Sequence, residues 1–542
     1  MSRLPDPVRD GLARGWKVYG GHHLGARPLP AETIRCDVAI IGTGAGAGIT
    51  AELLTQAGLD VVLVEEGPLK SSSDFRQLES EAYPSLYQES AARKTADKAI
   101  NILQGRCVGG STTVNWTSSF RTPDDTLGYW REHFGLGPEF APEAMSPWFA
   151  QAEQRLNIGP WLAPPNENND LLRRGALQLG IAAAAIQRNV KGCWNLGSCG
   201  LGCPTNAKQS MLVTTIPAAL DKGARLLVET RAQRLVRRGE RIEALECVPV
   251  SSIGEPVSRQ VLRIEAKHFV VAGGAINSPA LLLRSDLPDP HDVLGRRTFL
   301  HPVVISAAVF DQKVEGWSGA PQTIYTDHFL GTHAIDGPIG YKLEAPPIHP
   351  IIFASTVSGF GPEMARQFAA FPNTHALLAL LRDGFHPQAS GGRVTLGSGG
   401  LPVLDYPLTD FVMDGARRAM LSMAELQFAA GAREVVPAHE RAVTYKSWAD
   451  ARKGIEALPM KPHLTRVVSA HVMGGCGIAG DARRGVVRPD GRHWQVENLS
   501  VHDGSLFPTS IGANPQLSVY GLVNRLATDL AQQLSGREVR LA

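Results

Sequence analysis

The segment from Cys36 to Gly67, CDVAIIGTGAGAGITAELLTQAGLDVVLVEEG, constrains the fold more than any other part of the chain. An apolar run, a glycine-rich turn, an amphipathic stretch and a second apolar run read as the strand, helix and strand of one βαβ unit. Gly42 supplies the tight turn, and Gly44 lets backbone amides approach a pyrophosphate at the helix N-terminus. Ala47 takes the next motif position, where alanine substitutes for glycine. Glu65 ends the second strand 23 residues after Gly42, where a carboxylate accepts both ribose hydroxyls of an adenosine half. Glu66 is the alternative. A dinucleotide is expected here, NAD or FAD, against the plainer reading of a βαβ turn with no ligand.

Gly223–Val236 and Glu265–Leu283 again alternate apolar strands with helical stretches, as if completing the same sheet later in the chain. The nucleotide domain is therefore expected to be discontinuous. Between about residues 310 and 460 this rhythm gives way to Pro-rich segments and short strands such as Gly392–Leu396, the mark of a second domain. Its stretch from Pro346 to Leu381 carries few charges, consistent with ordinary core, with an apolar substrate channel or with a membrane-docking face.

With 43% hydrophobic and 20% charged residues, the 542-residue chain can bury a large core. Its 54 Lys and Arg are balanced by 52 Asp and Glu without a basic block, which argues against nucleic-acid binding. No apolar run reaches 18 residues, and the first thirty residues lack the apolar core of an export signal. A cytoplasmic location is expected. The seven cysteines, an odd number, are expected to be mostly reduced.

Four separated motifs resemble the glucose-methanol-choline (GMC) family of FAD-dependent oxidoreductases. Ile40–Gly48 with Val62–Pro68 is similar to the family's ADP-binding unit. GRCVGGSTTVNW at Gly105–Trp116 is similar to its first signature, whose residues lie along the flavin; Gly109, Gly110, Ser111 and Asn115 match. GGAINSPALLLRS at Gly273–Ser285 is close to its second signature, although Asp286 stands where that pattern has glycine, a departure at a turn. Ala470–Gly480 and Asn498–Val519 resemble its C-terminal catalytic and flavin-closing segment, and SGGRVTL at Ser390–Leu396 resembles the substrate-domain sheet. The resemblance implies an α/β protein: a Rossmann-like FAD-binding domain over 34–310, interrupted by a cysteine-containing segment near 190–210 and completed by 461–542. A second, α+β substrate domain built on an antiparallel sheet takes 311–460.

Oxidising an alcohol with a flavin requires a base for the hydroxyl proton while hydride leaves the carbon, and histidine suits that role. The resemblance places this base at His471, in AHVMGGC, and the partner side chain that holds the substrate oxygen at Asn514. Asparagine can donate a hydrogen bond to the developing alkoxide but cannot act as base, so His471 alone carries the proton. A competing role for Asn514 is to cap the helix that begins near Pro515. Asp503, Gly504, Asn514 and Pro515 carry over as cofactor-contacting positions. The histidine that anchors FAD covalently in some members has no counterpart near the first signature, so noncovalent FAD is expected; Cys107 there reads as a small packed residue.

Cys193, Cys199 and Cys203 are spaced C-x5-C-x3-C and followed by Pro204. The spacing lacks the paired knuckles of structural zinc, and no histidine lies nearby. It resembles the motif that holds a [3Fe-4S] cluster in bacterial membrane-linked FAD sugar dehydrogenases of the family. A reduced structural turn is the equal alternative. A cluster would carry electrons to a protein acceptor or membrane quinone and make this a dehydrogenase rather than an oxidase. Gly109–Pro123, the cysteine turn and Lys208–Pro217 look most like the long-chain fatty alcohol branch, implying a lipophilic primary alcohol as substrate, with peripheral contact at the inner membrane. The alternatives are a sugar or polyol dehydrogenase, a sterol oxidase, and a flavin-binding electron-transfer subunit without its own alcohol site.

Overall fold

The computed structural model describes residues 5–20, 26–258 and 260–541, so part of the N-terminal stretch read for an export signal lies outside the described residues. Its largest sheet runs in the order Lys17–Tyr19, Arg225–Leu227, Val61–Val64, Ile34–Ile41, Leu262–Val271, Arg241–Pro249, Thr230–Arg238. The first five are parallel, and the last two form an antiparallel hairpin. Parallel strands covered on both faces read as near-continuous apolar runs, and Val61–Val64 and Val38–Ile41 are buried at every position. The late segments expected to complete this sheet do so. Leu262–Val271 uses one edge twice: its start pairs with the hairpin and its end, Phe269–Val271, with Leu499–Val501. The helix Ala45–Gln56 connects Ile34–Ile41 to Val61–Val64 and packs against the long C-terminal helix Gln516–Ser535.

A second sheet is mainly antiparallel, in the order Ile100–Ile102, Val467–Ser469, Val303–Val309, Thr374–Leu381, Tyr341–Glu344, Ile324–Thr326, Ala184–Ala185, with Glu434–Pro437 also on Val303–Val309. It therefore draws strands from before residue 311 and after residue 460 as well as from between. Strand pairing follows open sheet edges, which chain order does not dictate. The helix Asp410–Ala429, begun by the Thr409 side chain, which accepts from the Val412 amide, covers its apolar face. Gly392–Leu396 lies instead in a small antiparallel sheet with Pro402–Asp405, Arg296–Phe299 and Met473–Gly474. The apolar stretch 346–381 divides in two. Thr374–Leu381 is a buried central strand, whereas the region before it exposes Ile351, Phe360 and Phe368. No helix among the described residues is long and apolar enough to cross a membrane.

Two chain segments cross from the small sheet to the second sheet side by side. Phe299 pairs with Met473 on one side of the crossing and Val303 with Val468 on the other. The three-residue links 300–302 and 470–472 are thereby forced to face each other.

Candidate active site

The first half of the site is made of backbone. Gly42 turns with φ +106°, and a Cβ there would stand 2.3 Å from the Ala272 carbonyl oxygen, so only glycine fits. Gly44 and Ala45, at the open N-terminus of the Ala45–Gln56 helix, stay partly exposed while the rest of that helix is almost wholly buried. A Cβ on Gly44 would meet nothing nearer than the Gly110 Cα at 3.9 Å, which leaves a cradle lined by backbone. Ala47 is buried in the helix, but the closest helix-to-chain approach falls one residue earlier: a Cβ on Gly46 would stand 1.8 Å from the His502 carbonyl oxygen.

Thr43, which the motif leaves unspecified, ties the cradle together. Its Oγ1 donates to Glu65 Oε2 at 2.5 Å and accepts from the Gly109 amide at 3.0 Å. Glu65 Oε1 accepts from the Gly67 amide at 2.8 Å, and burial pushes this carboxyl up to about 7. Glu66 instead pairs with Arg231 at 2.9 Å, so Glu65 is the acid at the cradle. Ser111 Oγ accepts from the Gly105 amide, and Asn115 donates to Gln516 Oε1 at 2.7 Å, joining the first signature to the C-terminal helix. Asp503 spends its side chain on protein: Oδ2 accepts from Gly274 N and Ser278 Oγ, Oδ1 from Ser505 N and Oγ. Gly504, beside it, stays partly exposed. The open helix N-terminus, the space above Gly44 and the inward carboxylate of Glu65 fit the ADP half of FAD. Burial pushes the Cys107 thiol up to about 12, so it stays protonated and poorly nucleophilic.

The second half of the site is made of side chains. His471 Nδ1 lies 3.2 Å from Nδ1 of His301, on the facing link. Burial, reinforced by the charge of Lys342, pushes His471 down to about 3 and keeps it neutral at physiological pH. Lys342 Nζ donates to Asn514 Oδ1 at 3.1 Å, stands 3.1 Å from Glu344 Oε1 and sits over the Phe120 ring, 2.9 Å from its centroid. Burial draws Lys342 down to about 8. Asn514 Nδ2 donates in turn to Glu344 Oε2 at 3.2 Å. A lysine offers only donors and a carboxylate only acceptors, so the Asn514 amide is fixed in one orientation with one N–H left over. The helix cap at 516 falls on Pro515, without a side-chain bond, so Asn514 is not spent on capping.

Sequence reasoning missed His301, Lys342 and Glu344. Two signals were there. A second histidine stands between apolar neighbours in FLHPVV, and YKLE places two charges two residues apart, hence on one face of an otherwise buried strand.

Two readings are open for the cysteine turn, a cluster site and a structural turn. Each thiol meets a different partner: Cys193 Sγ accepts from Asn195 N, Cys199 Sγ from Arg188, and Cys203 Sγ lies against Thr205 Oγ1. Among the described residues, no three His, Cys, Asp or Glu form a group able to hold a metal ion. The turn is held by its carbonyls instead. Lys208 Nζ donates to Cys199 O as well as to Thr113 O and Asn115 O, and the Tyr87 hydroxyl donates to Gly200 O. Among the described residues the three thiols are not arranged as a metal-binding group; the turn braces the first signature.

The sequence model of the GMC oxidoreductase family matches residues 83–303 with its N-terminal part and 387–522 with its C-terminal part. Long-chain-alcohol oxidase FAO1 of Arabidopsis thaliana is 27% identical over 521 residues, covering 91% of this chain and 67% of its own. An uncharacterized GMC-type oxidoreductase of Sinorhizobium fredii is 30% identical, covering 93% of this chain and 96% of its own. Pyridoxine 4-oxidase from Mesorbium loti shares the fold at a TM-score of 0.66 and 19% identity, over 93% of this chain and all of its own. Formate oxidase does so at 0.64 and 14%, over 93% and 99%. With the parallel sheet as its Rossmann-like FAD-binding part and the antiparallel sheet as its substrate part, the chain belongs to the GMC family of FAD-dependent oxidoreductases.

Proposed function

We propose that this enzyme oxidises a lipophilic, long-chain primary alcohol to its aldehyde, with FAD held noncovalently. The observation that carries the reading is Lys342. Its bond to Asn514 and its charge, which helps hold His471 neutral, support a neutral base and an oriented amide donor acting together. Bound FAD supplies the hydride acceptor. His471 takes the hydroxyl proton, and the remaining Asn514 N–H donates to the substrate oxygen as negative charge grows there. The Lys342–Glu344 pair neutralises itself within the protein, so the site does not call for a charged substrate. The lipophilic chain is supported by the relatives named long-chain-alcohol oxidases, at 26–28% identity.

The expectation of a dehydrogenase leans on an iron cluster, and the described residues show no metal-binding group that would support it. With those relatives carrying the name oxidase, we take dioxygen as the electron acceptor. An anaerobic absorption spectrum before and after adding dodecanol tests the substrate. Bleaching of the flavin bands is expected; a flavin that stays oxidised with dodecanol but bleaches with a sugar or sterol overturns the substrate class. Stoichiometric peroxide on admitting air supports dioxygen, and its absence returns the reading to a dehydrogenase.

A further inference from the structure

His301 belongs to none of the motifs that mark the cofactor and the base, yet it is the most constrained side chain beside that base. It is fully buried, and its backbone lies in the left-handed region at φ +49°, which histidine adopts only at a cost. Asp383 enforces that conformation, its two oxygens accepting from the amides of Leu300 and His301 at 3.2 and 3.1 Å. The Tyr406 hydroxyl donates to the same carboxylate at 2.7 Å, and Ser469 Oγ donates to Leu300 O at 2.5 Å. Strain of this kind persists where the surroundings over-determine it, and here it aims one ring nitrogen at His471. The other, Nε2, is buried and has no partner among the described residues.

Two neutral imidazoles that meet Nδ1 to Nδ1 can place only one proton between them. If His301 holds it, the His471 proton sits on Nε2 and that nitrogen cannot act as base. If His471 holds it, Nε2 of His471 carries a free lone pair. We propose that His301 is a positioning residue that accepts the hydrogen bond from His471 Nδ1–H and so reserves His471 Nε2 for the substrate hydroxyl. The inference rests on His471 being the base. In the proton-transfer step the substrate O–H bond breaks, an N–H bond forms at His471 Nε2, and the positive charge stays on the His471 ring. His471 then carries protons on both nitrogens, and its Nδ1–H meets a lone pair only if His301 keeps its own proton on Nε2, an unpaired buried N–H whose cost the charge-assisted bond from the His471 imidazolium must exceed. Charge does not pass on to His301, which is buried and feels the positive charges of Lys342 and Arg382.

Ring ¹⁵N spectra of the FAD-loaded, ¹⁵N-histidine-labelled protein read the tautomer directly and without substrate, with His471 assigned by its loss in His471→Asn. A protonated Nδ1 and a bare Nε2 on His471 are expected near neutral pH; the reverse overturns the proposal. His301→Gly tolerates the positive φ and removes the acceptor. It should shift His471 toward the Nε2–H tautomer and lower kcat about 100-fold, with KM for the alcohol changed less than about threefold. His301→Asn also tolerates this φ, places an amide oxygen near the position of Nδ1 and should recover kcat to within about tenfold of native. Native tautomer and native kcat in His301→Gly, with flavin content confirming the fold, would sink the idea. If no alcohol reduces the flavin of the native protein, the functional reading fails while the tautomer measurement still decides this one.

Discussion

The cofactor cradle and the base site lie in one protein and are built in opposite ways. The cradle comes chiefly from one contiguous segment, and its working parts are backbone: a turn that only glycine can make, an open helix end and a helix that touches a carbonyl through Gly46. The base site takes one or two residues each from the links 300–302 and 470–472, the strand Tyr341–Glu344 and the turn before the last helix. Backbone requirements leave a mark in local sequence because glycine is the only residue that meets them. Side-chain constellations leave little, because any polar residue can occupy a buried position once its partners are supplied from elsewhere.

Mutations that separate the two halves test this contrast. The largest effect is expected for His471→Ala, which should slow flavin reduction by alcohol at least about 10³-fold while FAD stays bound, as read by anaerobic stopped-flow and flavin content. Loss of FAD in that variant would mean that the halves are not separable. In the cradle, Gly46→Val should cost roughly 3 kcal/mol or more and lose FAD, since its side chain enters the space of the His502 carbonyl. Gly44→Ala should leave the apoprotein within about 1 kcal/mol of native in a urea titration and weaken FAD alone. Equal damage from both would show that the cradle is only a packing feature.

Lys342→Met should destabilise by about 3–5 kcal/mol, because it strands the carboxylate of Glu344 in the interior; adding Glu344→Leu should recover much of that loss. Acid should weaken the fold through its buried histidines. Burial holds His268, His375, His471 and His502 down to about 3, and His493 to about 4. Their folded values lie below the unfolded value near 6.5, so the unfolded chain binds protons that the folded one refuses. Stability from these groups is complete above about pH 6.5 and falls as pH drops through the window toward 3, by up to about 2 kcal/mol per histidine at pH 5. A urea midpoint unchanged between pH 7 and 5 would contradict their neutral burial. The smallest effect is expected at Asp286, which holds φ +49° where the family pattern has glycine: Asp286→Gly should raise stability by about 0.5–1 kcal/mol.

The legible parts follow the same division. The βαβ unit and the later strands of the parallel sheet rest on local pattern, and the structure forms them as that pattern implies; Glu65 lies against the Thr43 turn and His471 beside His301. Asp503 was legible as a position but not as a role, because its four donors come from two turns more than two hundred residues apart. The cysteine spacing leaves a cluster and a structural turn equally open for a related reason. Three thiols close in sequence suggest convergence, but the turn is fixed by Lys208 and Tyr87 on its carbonyls, and that leaves each thiol facing its own neighbour.

The sequence by itself determined the backbone grammar of this protein: where the chain must turn tightly, which strands can be buried on both faces, and that a histidine stands in the segment that resembles the family's catalytic one. Those are short-range requirements, set by sterics and by hydrophobic period. Only the tertiary structure decided that His301 faces His471, that Lys342 and Glu344 orient Asn514, and that Lys208 and Tyr87 hold the cysteine turn by its carbonyls. Each of these depends on the register between strands far apart in the chain, and a shift of one residue in Phe299 against Met473 would turn the facing side chains away.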